Sequence, residues 1–124
     1  MYIIVIEDDD AVRGLISRIL ISEKHDVMEA ANGKEGLALL SKSKKIDLII
    51  TDIIMPDVEG LETIREAKER LPQVKILAIS GGGRIHAQDY LAIAKGLGAD
   101  MTLQKPFIRQ DLIDAVNQLT QNEA

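Results

Sequence analysis

Acidic groups, a hydroxyl and a lysine stand where the apolar runs of this sequence stop. Ile3–Ile6 leads into Glu7-Asp8-Asp9-Asp10, and Ile46–Thr51 into Asp52. Val74–Ile79 leads into Ser80 and then Gly81-Gly82-Gly83, and Met101–Leu103 is soon followed by Lys105-Pro106. Carboxylates gathered at one place repel unless a cation lies between them. With no cysteine and only His25 and His86, far apart in the chain, the donors are oxygens. Such a set suits a hard cation: Mg²⁺, Mn²⁺ or Ca²⁺. A carboxylate beside such an ion can attack phosphorus and become an aspartyl phosphate, while metal and lysine neutralise the charge on the phosphoryl oxygens. Each piece also has a plainer reading. Asp9 and Asp10 suit a solvated loop or the N-cap of a following helix. Asp52 suits a strand-ending turn, and Lys105-Pro106-Phe107 a surface turn with Phe107 in the core. The conjunction favours chemistry: four strand ends in order, each with the right chemical type.

The elements that must position these groups are legible in the apolar pattern. The three long runs are nearly continuous rather than alternating, as expected for strands buried on both faces of a parallel sheet; Val27–Ala30 and Met101–Leu103 are shorter strands. Between them, Val12, Leu15, Ile16, Ile19 and Leu20 follow helical spacing, as do Leu61, Ile64, Ala67 and Leu71, and Leu112, Ile113, Val116 and Leu119. Leu37 to Leu40 and Tyr90 to Leu97 supply two weaker helices. Asn32-Gly33 signals a turn, Pro72 a helix end, and Gly96 and Gly98 surround another. The order is β-α five times over, which requires parallel strands joined by right-handed crossovers with helices on both faces. A doubly wound α/β domain follows, and its site belongs outside the carboxyl ends of the strands.

Length and composition narrow the function classes. The chain has 124 residues, 46% hydrophobic and 28% charged, with formal net charge -5. One compact domain is expected over residues 1–124. Without cysteine, disulfides and Cys-ligated metal sites are excluded. No apolar run approaches the ~20 residues of a membrane span, so the expected location is cytoplasmic with no membrane partner. The acidic balance argues against nucleic-acid binding through this domain, as does the scarcity of aromatics: Tyr2, Tyr90 and Phe107 only. His25, His86, Lys42, Lys44 and Lys45 read as surface groups.

Taken together, these residues resemble the receiver domain of two-component response regulators, of the chemotaxis-regulator kind. The resemblance rests on Ile3-Ile4-Val5-Ile6-Glu7-Asp8 with Arg13, on Asp52 followed by Met55-Pro56 and Gly60, and on Ala78-Ile79-Ser80, Gly98-Ala99-Asp100 and Lys105-Pro106-Phe107. It covers essentially the whole chain. It implies a flavodoxin-like (βα)5 three-layer sandwich with parallel strand order 2-1-3-4-5. It further implies that Asp52 accepts a phosphoryl group from a histidine kinase or histidine phosphotransfer protein. Mg²⁺ (or Mn²⁺) would be held by Asp8, Asp52, the backbone carbonyl of Ile54 and, through water, Glu7. Lys105 would pair with the phosphoryl oxygens, Ser80 would move to bond one of them, and Pro106 would follow a cis peptide bond. The change would be read by a protein partner on the face of the fourth helix, fifth strand and fifth helix.

Three positions depart from the family pattern. Thr102 stands where an aromatic switch residue is common. Gly81-Gly82-Gly83 opens a span to Gly98 about three residues longer than usual; the run reads either as a plain flexible loop or as a loop whose glycines permit backbone conformations that let it close over a phosphoryl group. Ile54 and Gly82, each two residues past a site residue, cannot hydrogen-bond an attacking water, so slow autodephosphorylation is expected. The domain reads as a switch that catalyses its own phosphorylation, not as a turnover enzyme, with no output domain in the chain. The alternatives are a Mg²⁺-dependent phosphatase-like enzyme with an aspartyl nucleophile, for which Ile54 supplies no second acid, and a pseudo-receiver that only binds protein, against which Asp8, Asp52, Ser80 and Lys105 all speak.

Overall fold

The computed structural model describes residues 1–42, 45–53, 59–80, 92, 95–96 and 98–121. The strands are β1 (Tyr2–Ile6), β2 (Asp26–Ala30), β3 (Leu48–Asp52), β4 (Lys75–Ser80) and β5 (Met101–Gln104). The helices are α1 (Asp10–Ser22), α2 (Gly33–Lys42), α3 (Glu59–Arg70) and, last in the chain, α4 (Arg109–Gln121). The helix expected from Tyr90 to Leu97, between β4 and β5, falls mostly outside the described residues.

All strand pairs are parallel, in the order β2-β1-β3-β4-β5. Alternate residues of each strand point to opposite faces, which explains the continuous apolar runs. Ile4, Ile6, Ile49, Ile76 and Ala78 pack with Leu40 of α2 and with Leu61, Ile64 and Ala67 of α3. Ile3, Val5, Leu48, Ile50, Leu77 and Ile79 pack on the other face with Ile16, Ile19 and Leu20 of α1 and with Leu112, Val116 and Leu119 of α4. These two cores make the three layers expected from the sequence. Each fully buried aliphatic side chain contributes roughly 1.5–3 kcal/mol, so the sheet between the cores carries much of the stabilisation by burial.

Strand and helix ends shift by a residue or two from the apolar runs, and two of these shifts have a plain cause. Ile46 is buried but precedes β3, because it reaches the core from the approach to the strand. Helix α3 stops at Arg70, short of Leu71, since the residue before Pro72 is pushed away from helical geometry.

Opposite the site, the foot of β4 is fastened to α3 and to the approach to β5. Asp100 Oδ2 accepts from the Ile76 N–H at 2.8 Å and lies 3.1 Å from Lys68 Nζ, which donates to the Val74 carbonyl at 2.7 Å. Gly98 turns the chain there with φ +126, a conformation few side chains tolerate. Among the described residues, no helix is long and apolar enough to cross a membrane.

Candidate functional site

Strand register brings the chemistry-bearing residues together. Ile6 of β1 lies beside Thr51 of β3, so the next residues, Glu7 and Asp52, leave the sheet at the same height. Asp52 in turn lies beside Ile79 of β4, and Ser80 beside Gln104 of β5. The Lys105 N–H then donates to the Ser80 carbonyl at 2.8 Å, which extends the β4–β5 ladder by one step and aims the lysine at the same edge. This edge is the carboxyl end of β1 and β3, where the crossovers part to opposite faces.

The side chains converge. Lys105 Nζ stands 2.7 Å from Asp52 Oδ2 and 2.8 Å from Glu7 Oε1. Ligand atoms of Glu7, Asp8 and Asp52 all lie within 4.8 Å of one another. Glu7 is 2% exposed, an unusual depth for a carboxylate, and Ser80 is buried at the end of β4. Burial raises the Glu7 carboxyl above its ordinary value, and the neighbouring Asp52 adds to this; Lys105 opposes it without cancelling it. Asp8 is raised by its hydrogen bond to Glu7, with burial and the charge of Glu7 contributing. Burial works against the Lys105 ammonium, yet its bonds to Asp52 and Glu7 hold it above the usual lysine value. At Glu7, burial and the neighbouring acid together outweigh what one lysine relieves. An oxygen-only donor set with surplus negative charge fits a hard divalent ion.

Helix α1 begins as its sequence suggests. Asp9 is its N-cap, Oδ1 accepting from the Ala11 and Val12 N–H groups at 2.9 and 3.1 Å, and Asp10 is its first residue. Both acids therefore serve the helix rather than the cluster. Phe107 is half-buried against the core on the α1–α4 side, and the Lys105–Pro106 peptide is cis. Thr102 is half-buried in β5 beside Ala78. His25, read as a surface group, is half-buried with Nδ1 3.2 Å from the Met1 ammonium, in a contact separate from the acidic cluster. Ile54, Gly81, Gly82, Gly83, Tyr90 and His86 lie outside the described residues.

One network was not anticipated. Arg13 donates to the Glu7 carbonyl through Nη1 at 2.9 Å, pairs with Asp10 through Nη2, and reaches Glu29 Oε1 of β2 through Nε at 3.2 Å. The i, i+3 spacing of Asp10 and Arg13 was legible on the helix. The meeting with Glu29 depends on the pairing of β1 with β2.

The sequence matches the response regulator receiver domain family over residues 3–117. It is 32% identical over 125 residues to sensor kinase CckA of Brucella abortus, covering 98% of this chain and 13% of that protein. It is 33% identical over 115 residues to transcriptional regulatory protein AfsQ1 of Streptomyces coelicolor, covering 91% of this chain and 48% of the regulator. The chain thus spans about half or less of these curated relatives. The crystal structure of a response regulator receiver domain protein from Clostridium thermocellum superposes with TM-score 0.88 at 30% identity, covering 98% of this chain and 95% of that one. Receiver domains are signalling switches rather than turnover enzymes; they generally take Mg²⁺ at an acidic pocket and interact with histidine kinases or phosphotransfer proteins. Fold and similarity agree: the chain belongs to the response regulator receiver domain family of two-component signalling, which is phosphorylated on aspartate by kinases.

Proposed function

We propose that Asp52 is the phosphoacceptor of this domain, with Lys105 and Ser80 as its partners in catalysis. The observation that carries this reading is the Lys105 ammonium bridging Asp52 and Glu7 at 2.7 and 2.8 Å, beside Asp8, at the carboxyl edge of the sheet. An Asp52 carboxylate oxygen attacks the phosphorus of a phosphohistidine on a kinase or phosphotransfer protein. The P–O bond forms as the P–N bond breaks. The electron pair stays on the imidazole nitrogen, and Asp52 becomes an acyl phosphate. Lys105, already seated on Asp52, neutralises a phosphoryl oxygen, and the Ser80 hydroxyl donates to another. Glu7, Asp8, Asp52 and the Ile54 carbonyl are the residues that would hold Mg²⁺ (or Mn²⁺), whose contribution is to offset charge on the transferred group.

Ser80 lies directly beside Gln104 of β5, so an inward movement of its hydroxyl would bias the partner face formed by the segment before β5, β5 itself and α4. Residues 1–124 act as one receiver domain, in the cytoplasm with its phosphoryl donors, and downstream readout is by protein contact. Self-catalysed phosphorylation and slow loss of the phosphoryl group complete the reading.

Incubation with Mg²⁺ and acetyl phosphate, followed by intact-mass measurement, tests it. A phosphoryl adduct is expected on the wild type and not on Asp52→Asn. An adduct surviving in that variant overturns the assignment of Asp52. Rapid phosphate release without an adduct indicates a phosphatase-like enzyme, and neither adduct nor release a pseudo-receiver.

A further inference from the structure

We propose that Arg13 is a positioning residue for the divalent cation, setting the backbone of the metal loop from outside the ligand set. The inference rests on the reading of Glu7, Asp8 and Asp52 as the cation's ligands.

Asp8 is the exposed member of that set, held at its side chain by the hydrogen bond to Glu7 rather than by burial. Its place depends further on the two peptide groups that flank it. The peptide after it is held from within the loop: the Asp9 N–H donates to Glu7 Oε2 at 3.2 Å. The peptide before it is held by Arg13, whose Nη1 donates to the Glu7 carbonyl at 2.9 Å. The Arg13 guanidinium is itself oriented from two sides, by Asp10 at the start of α1 and by Glu29 on β2. A planar fork with three nitrogens on three separate acceptors has little freedom to turn. The Arg13 side chain is 17% exposed, against 88% for Asp10 and 47% for Glu29. The arginine is therefore the enclosed centre of the network, and the acids are its outer posts. Partners of this kind set ligand geometry without touching the ion.

Charge alone predicts the opposite sign, which makes the inference testable. Arg13 carries a positive charge close to the site, so its removal by Coulomb's law should tighten cation binding. Loss of positioning should weaken it.

Mn²⁺ binding is measured by paramagnetic resonance, from the loss of the free aqueous ion's signal, for the full chain as wild type, Asp8→Asn, Arg13→Ala and Arg13→Lys. Thermal unfolding of each metal-free protein is recorded in parallel. Arg13→Ala is expected to raise the Mn²⁺ dissociation constant about tenfold. Arg13→Lys keeps the charge but not the fork, and is expected to weaken binding as well; it carries the test if Arg13→Ala does not fold. Binding by Arg13→Ala as tight as the wild type or tighter overturns the inference. So does Arg13→Lys indistinguishable from the wild type, or a fall in melting temperature with unchanged Mn²⁺ affinity. If the wild type binds no Mn²⁺, or Asp8→Asn binds equally well, the ligand assignment itself fails, and the positioning role falls with it.

Discussion

Lys105 and Asp52 are 53 positions apart in the chain, yet Nζ of one lies 2.7 Å from Oδ2 of the other. The same ammonium reaches Glu7, 98 positions away, at 2.8 Å. Before any phosphoryl group arrives, one lysine is therefore the counterion of two enclosed carboxylates.

Removing that counterion should be costly. Lys105→Met removes the ammonium that bridges Glu7 and Asp52, at a cost of about 3 kcal/mol, or a fall of roughly 10 °C in melting temperature. Millimolar Mg²⁺ should restore part of the loss by supplying the missing positive charge. Calorimetric melting of wild type and variant with and without Mg²⁺ checks both; a variant that melts like the wild type would show the lysine to be a bystander.

The raised carboxyls give a pH dependence with a definite sign. Glu7 and Asp8 both hold protons more tightly in the fold than in the unfolded chain. Their contribution to stability is full below the ordinary carboxylate values of about 4 and is lost as pH rises through the folded values. Lys105, raised in the opposite chemical sense, keeps its contribution until pH passes the usual lysine value of about 10.4. Without divalent metal, Asp8→Asn and wild type should melt close together near pH 4, and the variant should be the more stable near pH 7. Saturating Mg²⁺ at pH 7 should stabilise the wild type alone and narrow or reverse that order. Equal pH slopes for both proteins would contradict the repulsion argued above.

The lifetime of the phosphoryl group depends on whether a side chain can orient a water. Ile54 cannot. Ile54→Asn and Ile54→Glu should accelerate decay of the phosphorylated protein on the order of tenfold, a modest share of what positioned acid–base groups supply. Decay is followed by intact mass in excess Mg²⁺ after the phosphodonor is removed. Wild-type decay as fast as that of the variants would end this account.

Gly98 and Gly14 should respond oppositely to alanine. A Cβ at Gly98 would sit 2.6 Å from Lys68 Cγ, at φ +126. Gly98→Ala should then cost about 2 kcal/mol through strain and displacement of Lys68 from Asp100. A Cβ at Gly14, within α1, meets nothing within 4 Å, so Gly14→Ala should add roughly 0.5–1 kcal/mol by helix propensity. Urea unfolding of the pair gives both signs in one experiment.

Much of this was legible in the chain itself. Continuous apolar runs at Ile3–Ile6 and Val74–Ile79 require burial on both faces, and so a parallel sheet sandwiched by helices. Residue types at the ends of those runs named the candidate site, because a strand's last residues have nowhere to point but the edge. The helix expected from Tyr90 to Leu97 is weakly marked for a reason in the sequence: Gly81-Gly82-Gly83 and a short apolar set give little periodicity.

The chain by itself determined which chemical groups reach the carboxyl edge, since alternation and run length depend only on local order. Tertiary structure alone decided which of those groups meet. Register between β1 and β3 sets Glu7 level with Asp52, the added β4–β5 ladder step aims Lys105 at both, and pairing of β1 with β2 brings Glu29 to Arg13. These distances depend on hydrogen-bonded neighbours dozens of residues apart. So do the raised carboxyls of Glu7 and Asp8, because burial and like charge act through space rather than along the chain.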